Sequence, residues 1–325
     1  MTTKTAPTTS PTPRTTAYDA IVIGGSFAGL SAAMQLARAR RRVCVVDAGK
    51  PRNRFAAASH GFFGQDGEPP LAMIEQARCK LLAYPTVGFV QGTVVSATAQ
   101  QRAGSPENGF EVVLDHGTHM EAHKLVLAFG VQDGLPEIAG LRERWGATVL
   151  HCPYCHGFEF AGQRLGVLYH SPQSGMHAQL IADWGPTTLF LNGETTLDSA
   201  EHGRLLALGI AIEPAPIAAL EGPGQALTGV RLQAAEGGNA RVVPLAALYV
   251  ASATRPASPL AEQLGCAFDE GPMGPYVRTD ANKMTTVPGV YAAGDLTLMR
   301  HNATLASAEG VLAGTGAHQA LVFGV

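Results

Sequence analysis

No stretch of about 18 apolar residues occurs anywhere in the 325-residue chain, so no membrane-spanning helix is expected. There is no excess of basic residues either. Lys and Arg number 23 against 26 Asp and Glu, a formal net charge of -3, and no basic stripe is available to displace counterions from a phosphate backbone; a nucleic-acid partner is excluded. Charged residues are only 15% of the chain and hydrophobic residues 46%, the balance of a globular protein with a large core. Residues 1–17 are rich in Thr and Pro, carry two basic residues and lack an apolar core; they read as a disordered tail and not as a secretory signal. Cysteine is scarce: five, an odd and unpatterned set, which fits a reducing compartment and makes a cytoplasmic location the expectation.

Two of the five cysteines are spaced for chemistry, in Cys152-Pro153-Tyr154-Cys155-His156-Gly157. Sulfurs two residues apart can close a small ring, so dithiol and disulfide are both accessible. Four readings compete. A zinc half-site needs two more ligands, yet Cys44, Cys79 and Cys266 are scattered singly, so no metal is expected. The same letters spell the C-x-x-C-H of covalent haem attachment, which a reducing compartment disfavours. A structural disulfide closing so short a loop would add little stability. The fourth reading is a redox dithiol, and the rest of the chain must choose.

At the N-terminus, Ala20-Ile21-Val22-Ile23 has the β-branched character of a buried parallel strand and runs into Gly24-Gly25-Ser26-Phe27-Ala28-Gly29. An amphipathic helix is expected over Leu30–Arg40, then a strand over Arg42–Val46 ending at Asp47. This is a βαβ dinucleotide unit. Its glycines permit a tight turn and bring a pyrophosphate to a helix N-terminus, and Asp47 stands where an acid accepts ribose hydroxyls. Ser26 departs from the pattern, occupying the place of the second fingerprint glycine. A polar loop, 50–70, follows at the C-terminal end of the second strand and holds Arg52, Asn53 and His60, the last readable as a cofactor contact or a surface histidine. Further expectations are a helix over 71–83 with Cys79 packed inside, strands over 87–99, 109–115 and 124–131, and a hairpin loop over 100–108. Near the C-terminus, a strand over 290–295 delivers Asp295, and a small-residue helix spans 302–316.

In this order from Tyr18 onward, the Gly24–Gly29 turn, Ala128-Phe129-Gly130, C-x-x-C-x-G and Ala292-Ala293-Gly294-Asp295 resemble the low-molecular-weight thioredoxin reductase family of flavoproteins. The resemblance implies an α/β fold of two Rossmann-like, doubly wound three-layer domains, bound FAD and a homodimer. The FAD domain would be discontinuous, 18–134 and 250–325, around an inserted domain, 135–249, that carries the cysteines. Carried over, Gly24, Gly25, Ser26, Phe27, Ala28 and Gly29 would hold the pyrophosphate, Asp47 the adenosine ribose and Asp295 the ribityl chain. Asn302 and Ala303 would lie beside the isoalloxazine ring, with Arg52, Asn53, His60, Val94, Ala128, Gly130 and Gly294 lining the rest of the cleft. Cys155 would face the flavin, its thiolate favoured there, and Cys152 would exchange with substrate.

The inserted half departs from that family. Arg164–Leu168 is a good first strand of a second nucleotide fold, but the turn after it reads Tyr169-His170-Ser171-Pro172-Gln173-Ser174-Gly175. Pro172 offers no N–H to a phosphate, and no arginine follows the strand 187–191 to hold a 2′-phosphate, only Asn192-Gly193-Glu194. Either a diverged NADPH site survives or nicotinamide binding is lost. His156 stands where those reductases carry an acid; it reads as a base for a thiol or as a packing residue. Both departures resemble the dithiol oxidases of natural-product pathways, of the gliotoxin, holomycin and romidepsin type. The expected activity is closure of a disulfide in a small-molecule dithiol, electrons passing through Cys152–Cys155 to FAD and then to O2. The alternatives are a disulfide reductase fed by NADPH or a protein donor, and a non-catalytic flavin redox sensor. Met176, His177 and Trp184 are pocket candidates or helix packing; 193–244 reads as scaffold.

Overall fold

The computed structural model describes residues 17–101, 108–194, 197–234 and 239–324; the expected tail and most of the 100–108 loop lie outside them. Two α/β units are present. In the first, the strands Val87–Gln91, Val43–Asp47, Ala17–Ile23 and His119–Leu127 lie side by side and parallel, and Val290–Ala292 joins the far edge of the last. Val43 to Val46 and Leu125 to Leu127 are at most 1% exposed, which is why they are apolar at every position and show no alternation. The antiparallel strands Val94–Gln101 and Asn108–Leu114 extend this sheet.

The helix Phe27–Arg38 begins three residues before the sequence pattern places it, because Ser26 is already extended (φ -104°) and Phe27 takes up the helix immediately. On the same face lies the 21-residue helix Ala303–Phe323. It runs beyond the expected end at 316 because nothing breaks it until Gly324, whose left-handed φ of 69° closes it. The expected close backbone approach is real: a Cβ on Gly310 would run into the Ala28 carbonyl. Cys79, expected to be packed, instead lies exposed on the helix Pro70–Leu82 and bonds to Glu75.

After Leu127 the chain turns at Gly130 (φ 69°), and the stretch expected as one strand to 131 breaks there. It leaves through Val131–Gly134 and returns, antiparallel, through Ala253–Pro256. Between these passes lies the second unit, a five-stranded parallel sheet ordered 211–213, 187–190, 165–168, 247–250 and 149–150, with a small antiparallel sheet beside it. Two Rossmann-like sheets, one sequentially interrupted by the other, are the architecture.

Candidate active site

The cysteine pair opens directly from the second sheet. Strand Val149–Leu150 ends two residues before Cys152, which is the N-cap of a single helical turn, Pro153–His156. Proline suits the first helical position, where no N–H is needed. Three contacts fix the turn. The Cys155 N–H donates to the Cys152 carbonyl at 3.3 Å, the Gly157 N–H donates to the Pro153 carbonyl at 2.6 Å, and the Tyr249 hydroxyl donates to the His156 carbonyl at 3.2 Å. Trp184 packs over Gly157 and meets Tyr154 edge-on, ring centroids 5.7 Å apart.

Both cysteines are half-buried free thiols, and they are unequal. A hydrogen bond from Cys155 holds the Cys152 thiol below its ordinary range against its burial, with Arg52 adding a smaller pull. The same bond and burial push the Cys155 thiol up. In the reduced pair the hydrogen bond between the sulfurs favours the thiolate on Cys152, the N-cap residue.

His156 ends the same turn. Burial lowers its proton affinity, Glu159 raises it and His60 lowers it again. The structure brings His60 here from the loop after Asp47: its Nε2 lies 3.3 Å from Glu159 Oε1 and its Nδ1 3.6 Å from Asp66 Oδ1. The His60 and His156 rings meet edge-on at 6.2 Å. His151, before the pair, is pushed down to about 3 by burial, with Arg52 contributing.

On the first sheet, the turn after Ile23 fits a dinucleotide. Gly24 has φ 109°, and any side chain there would collide with the Ala128 backbone, so the turn closes tightly onto the neighbouring strand. Ser26 makes no side-chain cap bond, which leaves the first N–H groups of the helix available to an anion. Asp47 is fixed by the Gly25 N–H at 2.9 Å. Phe27 meets Phe62 in a tilted contact, ring centroids 5.8 Å apart; Ala28, Gly29 and Ala128 are buried where the helix meets the sheet, and Val94 is 5% exposed among core residues. Asn53 sits in the turn after Pro51, its carbonyl accepting from Ala56 N–H.

Arg52 does something the sequence pattern does not announce. Its Nε and Nη2 grip Asp133 at 2.9 and 2.6 Å, and its Nη1 reaches Asp295 at 3.0 Å. Ser252 donates to Asp133 at 2.8 Å. Burial would raise Asp133, but the guanidinium outweighs it and holds the carboxyl below its usual range. Asp295, in the turn Gly294–Leu296, is thus held between the two units' connecting strands and the cleft. Nearby, burial lowers the proton affinity of His301, while Asp295 and a hydrogen bond to the Leu298 backbone raise it. Asn302 spends its Oδ1 capping the helix, accepting from Thr304 and Leu305 N–H, with Ala303 the helix's first residue.

The model of the pyridine nucleotide-disulphide oxidoreductase family matches residues 18–168. Thioredoxin reductase tcpT of Claviceps purpurea is 30% identical over 308 residues, 91% of this chain and 92% of that protein. The crystal structure of an oxidoreductase from Agrobacterium tumefaciens superposes with a TM-score of 0.86 at 44% identity, over 95% of this chain and 99% of the other. That of HlmI gives 0.86 at 34% identity, over 94% and 93%. The chain belongs to the thioredoxin reductase-like flavoproteins. Its cofactor is FAD.

In this flavoprotein the second nucleotide turn is built differently from the first. The Ser174 hydroxyl accepts from the His170 and Ser171 N–H groups, at 3.0 and 3.1 Å. The Glu201 carboxylate presses against Gly175 in the first turn of helix Ser174–Ile181. Ser174 and Glu201 escaped the sequence reading, the latter inside a stretch read as scaffold; so did Asp133, Glu159, Tyr249 and His301. Glu159, three residues after His156, carried a visible spacing signal. The others come together only through the fold. His177 proves a packing residue, edge-on to Tyr249 at 6.1 Å and pushed down to about 4 by burial, whereas Met176 is 64% exposed. Among the described residues no group of His, Cys, Asp and Glu is arranged to hold a metal, and no helix is long and apolar enough to cross a membrane.

Proposed function

We propose that this flavoprotein is a dithiol oxidase that closes an intramolecular disulfide in a small-molecule dithiol. One observation carries the reading: in the turn where a reductase would seat NADPH, the His170 and Ser171 N–H groups are taken by the Ser174 hydroxyl, and the helix start meets the Glu201 carboxylate. A phosphate there would compete with a built-in hydroxyl and face an anion. Electrons then have no nicotinamide source and enter from thiols. The resemblance of Cys-Pro-Tyr-Cys-His-Gly to natural-product dithiol oxidases supports the same direction.

The chain's residues divide the work. The resting form has a Cys152–Cys155 disulfide. His156, kept neutral by burial, takes the proton of the first substrate thiol on its imidazole. The resulting thiolate attacks Cys152 Sγ, the Cys152–Cys155 bond breaks, and Cys155 leaves and takes up a proton. The second substrate thiol, deprotonated in turn, attacks the substrate sulfur of the mixed disulfide, and Cys152 leaves. Its low proton affinity makes it the better leaving group of the two cysteines. FAD supplies the two-electron acceptor that restores the protein disulfide, with O2 as final acceptor, so the balance is R(SH)2 + O2 → RS2 + H2O2. Asp47, the Gly24–Gly29 turn, Asp295 and the His301–Ala303 segment would hold the cofactor. The domain limits 18–134 with 250–325 and 135–249, and a homodimer, belong to the same reading.

The relatives named thioredoxin reductase favour a second reading, a disulfide reductase drawing on NADPH. An anaerobic titration separates the two. A dithiol such as dithiothreitol should bleach the flavin while a stoichiometric excess of NADPH leaves it oxidised; fast bleaching by NADPH overturns the oxidase.

A further inference from the structure

We infer that Glu159, paired with His60 where that ring meets His156, is a positioning residue for His156 from outside the cysteine turn. The inference rests on the oxidase reading, in which His156 is the base. Three chain segments converge to make the arrangement. His156 closes the turn that carries Cys155, Glu159 follows it in the short helical turn Phe158–Phe160, and His60 arrives from the loop after Asp47 on the other unit. His60 Nε2 meets Glu159 Oε1 at 3.3 Å while the edge-on contact of the two imidazoles, centroids 6.2 Å apart, closes the triangle. Asp66, 3.6 Å from His60 Nδ1, anchors the far side of that ring.

The groups facing His156 are accounted for on every side. Glu159 raises its proton affinity and His60 lowers it; His151 lies near enough to be affected by it; Cys152 and Cys155 share its turn; and Tyr249 holds its carbonyl. Of the groups that shift His156, Glu159 is the one that favours the protonated imidazole. A base that must both accept a thiol proton and be neutral beforehand works best with a proton affinity near the working pH. Burial alone pulls His156 below that, and the carboxylate offsets the pull. His60 gives the carboxylate a fixed place, so that its charge is not lost to a freely rotating side chain.

The test is the pH profile of kcat/KM for dithiol oxidation by the FAD-loaded protein. Activity falls on the acid side as His156 becomes protonated. Glu159→Gln keeps size and hydrogen bonding but removes the charge, so the acid limb should move to lower pH by about half a unit, the size expected of a nearby, partly solvent-screened charge. Glu159→Asp should return the limb towards the parent. His156→Gln should abolish the limb, and adding Glu159→Gln to it should change nothing further. An acid limb lost in His156→Gln but unmoved in Glu159→Gln overturns the positioning role alone. A limb that survives His156→Gln overturns His156 as base, and with it the mechanism on which the inference stands. Should Glu159→Gln lose its flavin, the limb of Glu159→Ala decides: displaced to lower pH, or unmoved and the inference refuted.

Discussion

Replacing Arg52 with methionine removes the charge from the most enclosed ion cluster of the site while keeping the bulk of the stem. Three hydrogen bonds are lost, two to Asp133 and one to Asp295. The side chains of Arg52 and Asp133 are only 16% and 7% exposed, so the deletion leaves a buried carboxylate with Ser252 as its remaining donor. Removing one partner of such a pair costs about 3–5 kcal/mol. At roughly 2 °C per kcal/mol for a chain of this size, the melting temperature should fall by about 6–10 °C. The pH dependence distinguishes this cause from a packing defect. In the parent, Asp133 is depressed, so its stabilising contribution is complete above its unfolded value near 4 and is lost only as pH drops below that towards the folded value. In Arg52→Met, burial outweighs the smaller pulls of His151 and the Ser252 hydroxyl and raises Asp133 above its unfolded value, so the carboxylate costs stability at neutral pH and the cost is relieved as pH falls. Thermal melts of the FAD-loaded protein, followed by flavin release, should show a gap between parent and variant that is widest near pH 7 and narrows towards pH 4. Adding Asp133→Asn should recover much of the loss. A gap constant from pH 4 to 8, or a fall under about 2 °C, would refute the account of Arg52 as a buried counter-charge.

Two further outcomes follow from the site. Gly24→Ala forces a side chain into the Ala128 backbone at φ 109°, so it should cost on the order of 3 kcal/mol and release FAD during purification; a yellow protein with parental melting would contradict the tight turn. In the dithiol form, brief iodoacetamide treatment at neutral pH followed by peptide mapping should label Cys152 before Cys155, because the hydrogen bond between them places the thiolate on Cys152; the reverse order would invert the assignment of exchange and resolving roles.

What the sequence made legible were the features encoded locally. The first βαβ unit could be read because strand, glycine turn, helix and acid follow each other within about thirty residues, and the buried strands advertise themselves as unbroken apolar runs. The C-x-x-C spacing likewise lies within one turn. Boundaries failed where one residue's backbone decides: at Phe27, which takes up the helix directly after Ser26, at Gly130, whose positive φ splits a continuous apolar run in two, and at Gly324, which lets the last helix continue past Gly316. Cys79 failed because its packing was inferred from residue type, while the helix face it occupies looks outwards. The Arg52–Asp133–Asp295 cluster was invisible for a different reason. Its members are 81 and 243 positions from Arg52, and only the antiparallel passes of 131–134 and 253–256 bring them together.

The two nucleotide turns in this one chain form an internal comparison that bears on the direction of electron flow. Both follow a buried parallel strand and open into a helix. In the first, the capping serine makes no side-chain bond, so the helix N-terminus faces the cleft with its donors free. In the second, a serine one position inside the helix folds back and consumes two donors, and a glutamate from the neighbouring helix Ser199–Ala207 stands against the same end. A carboxylate stands by each turn, Asp47 at Gly25 and Glu201 at Gly175, so what sets the second apart is Ser174, whose hydroxyl occupies two turn N–H groups. At about 4 Å, a carboxylate facing a single phosphate charge costs roughly 1 kcal/mol in water and 4 in a partly enclosed crevice, before the two donors are prised from Ser174. Those terms reduce a dinucleotide's affinity by one to three powers of ten. On the proposed reading, the two N–H groups held by Ser174 weaken a nicotinamide dinucleotide at the second turn, while the first turn keeps its helix donors for FAD.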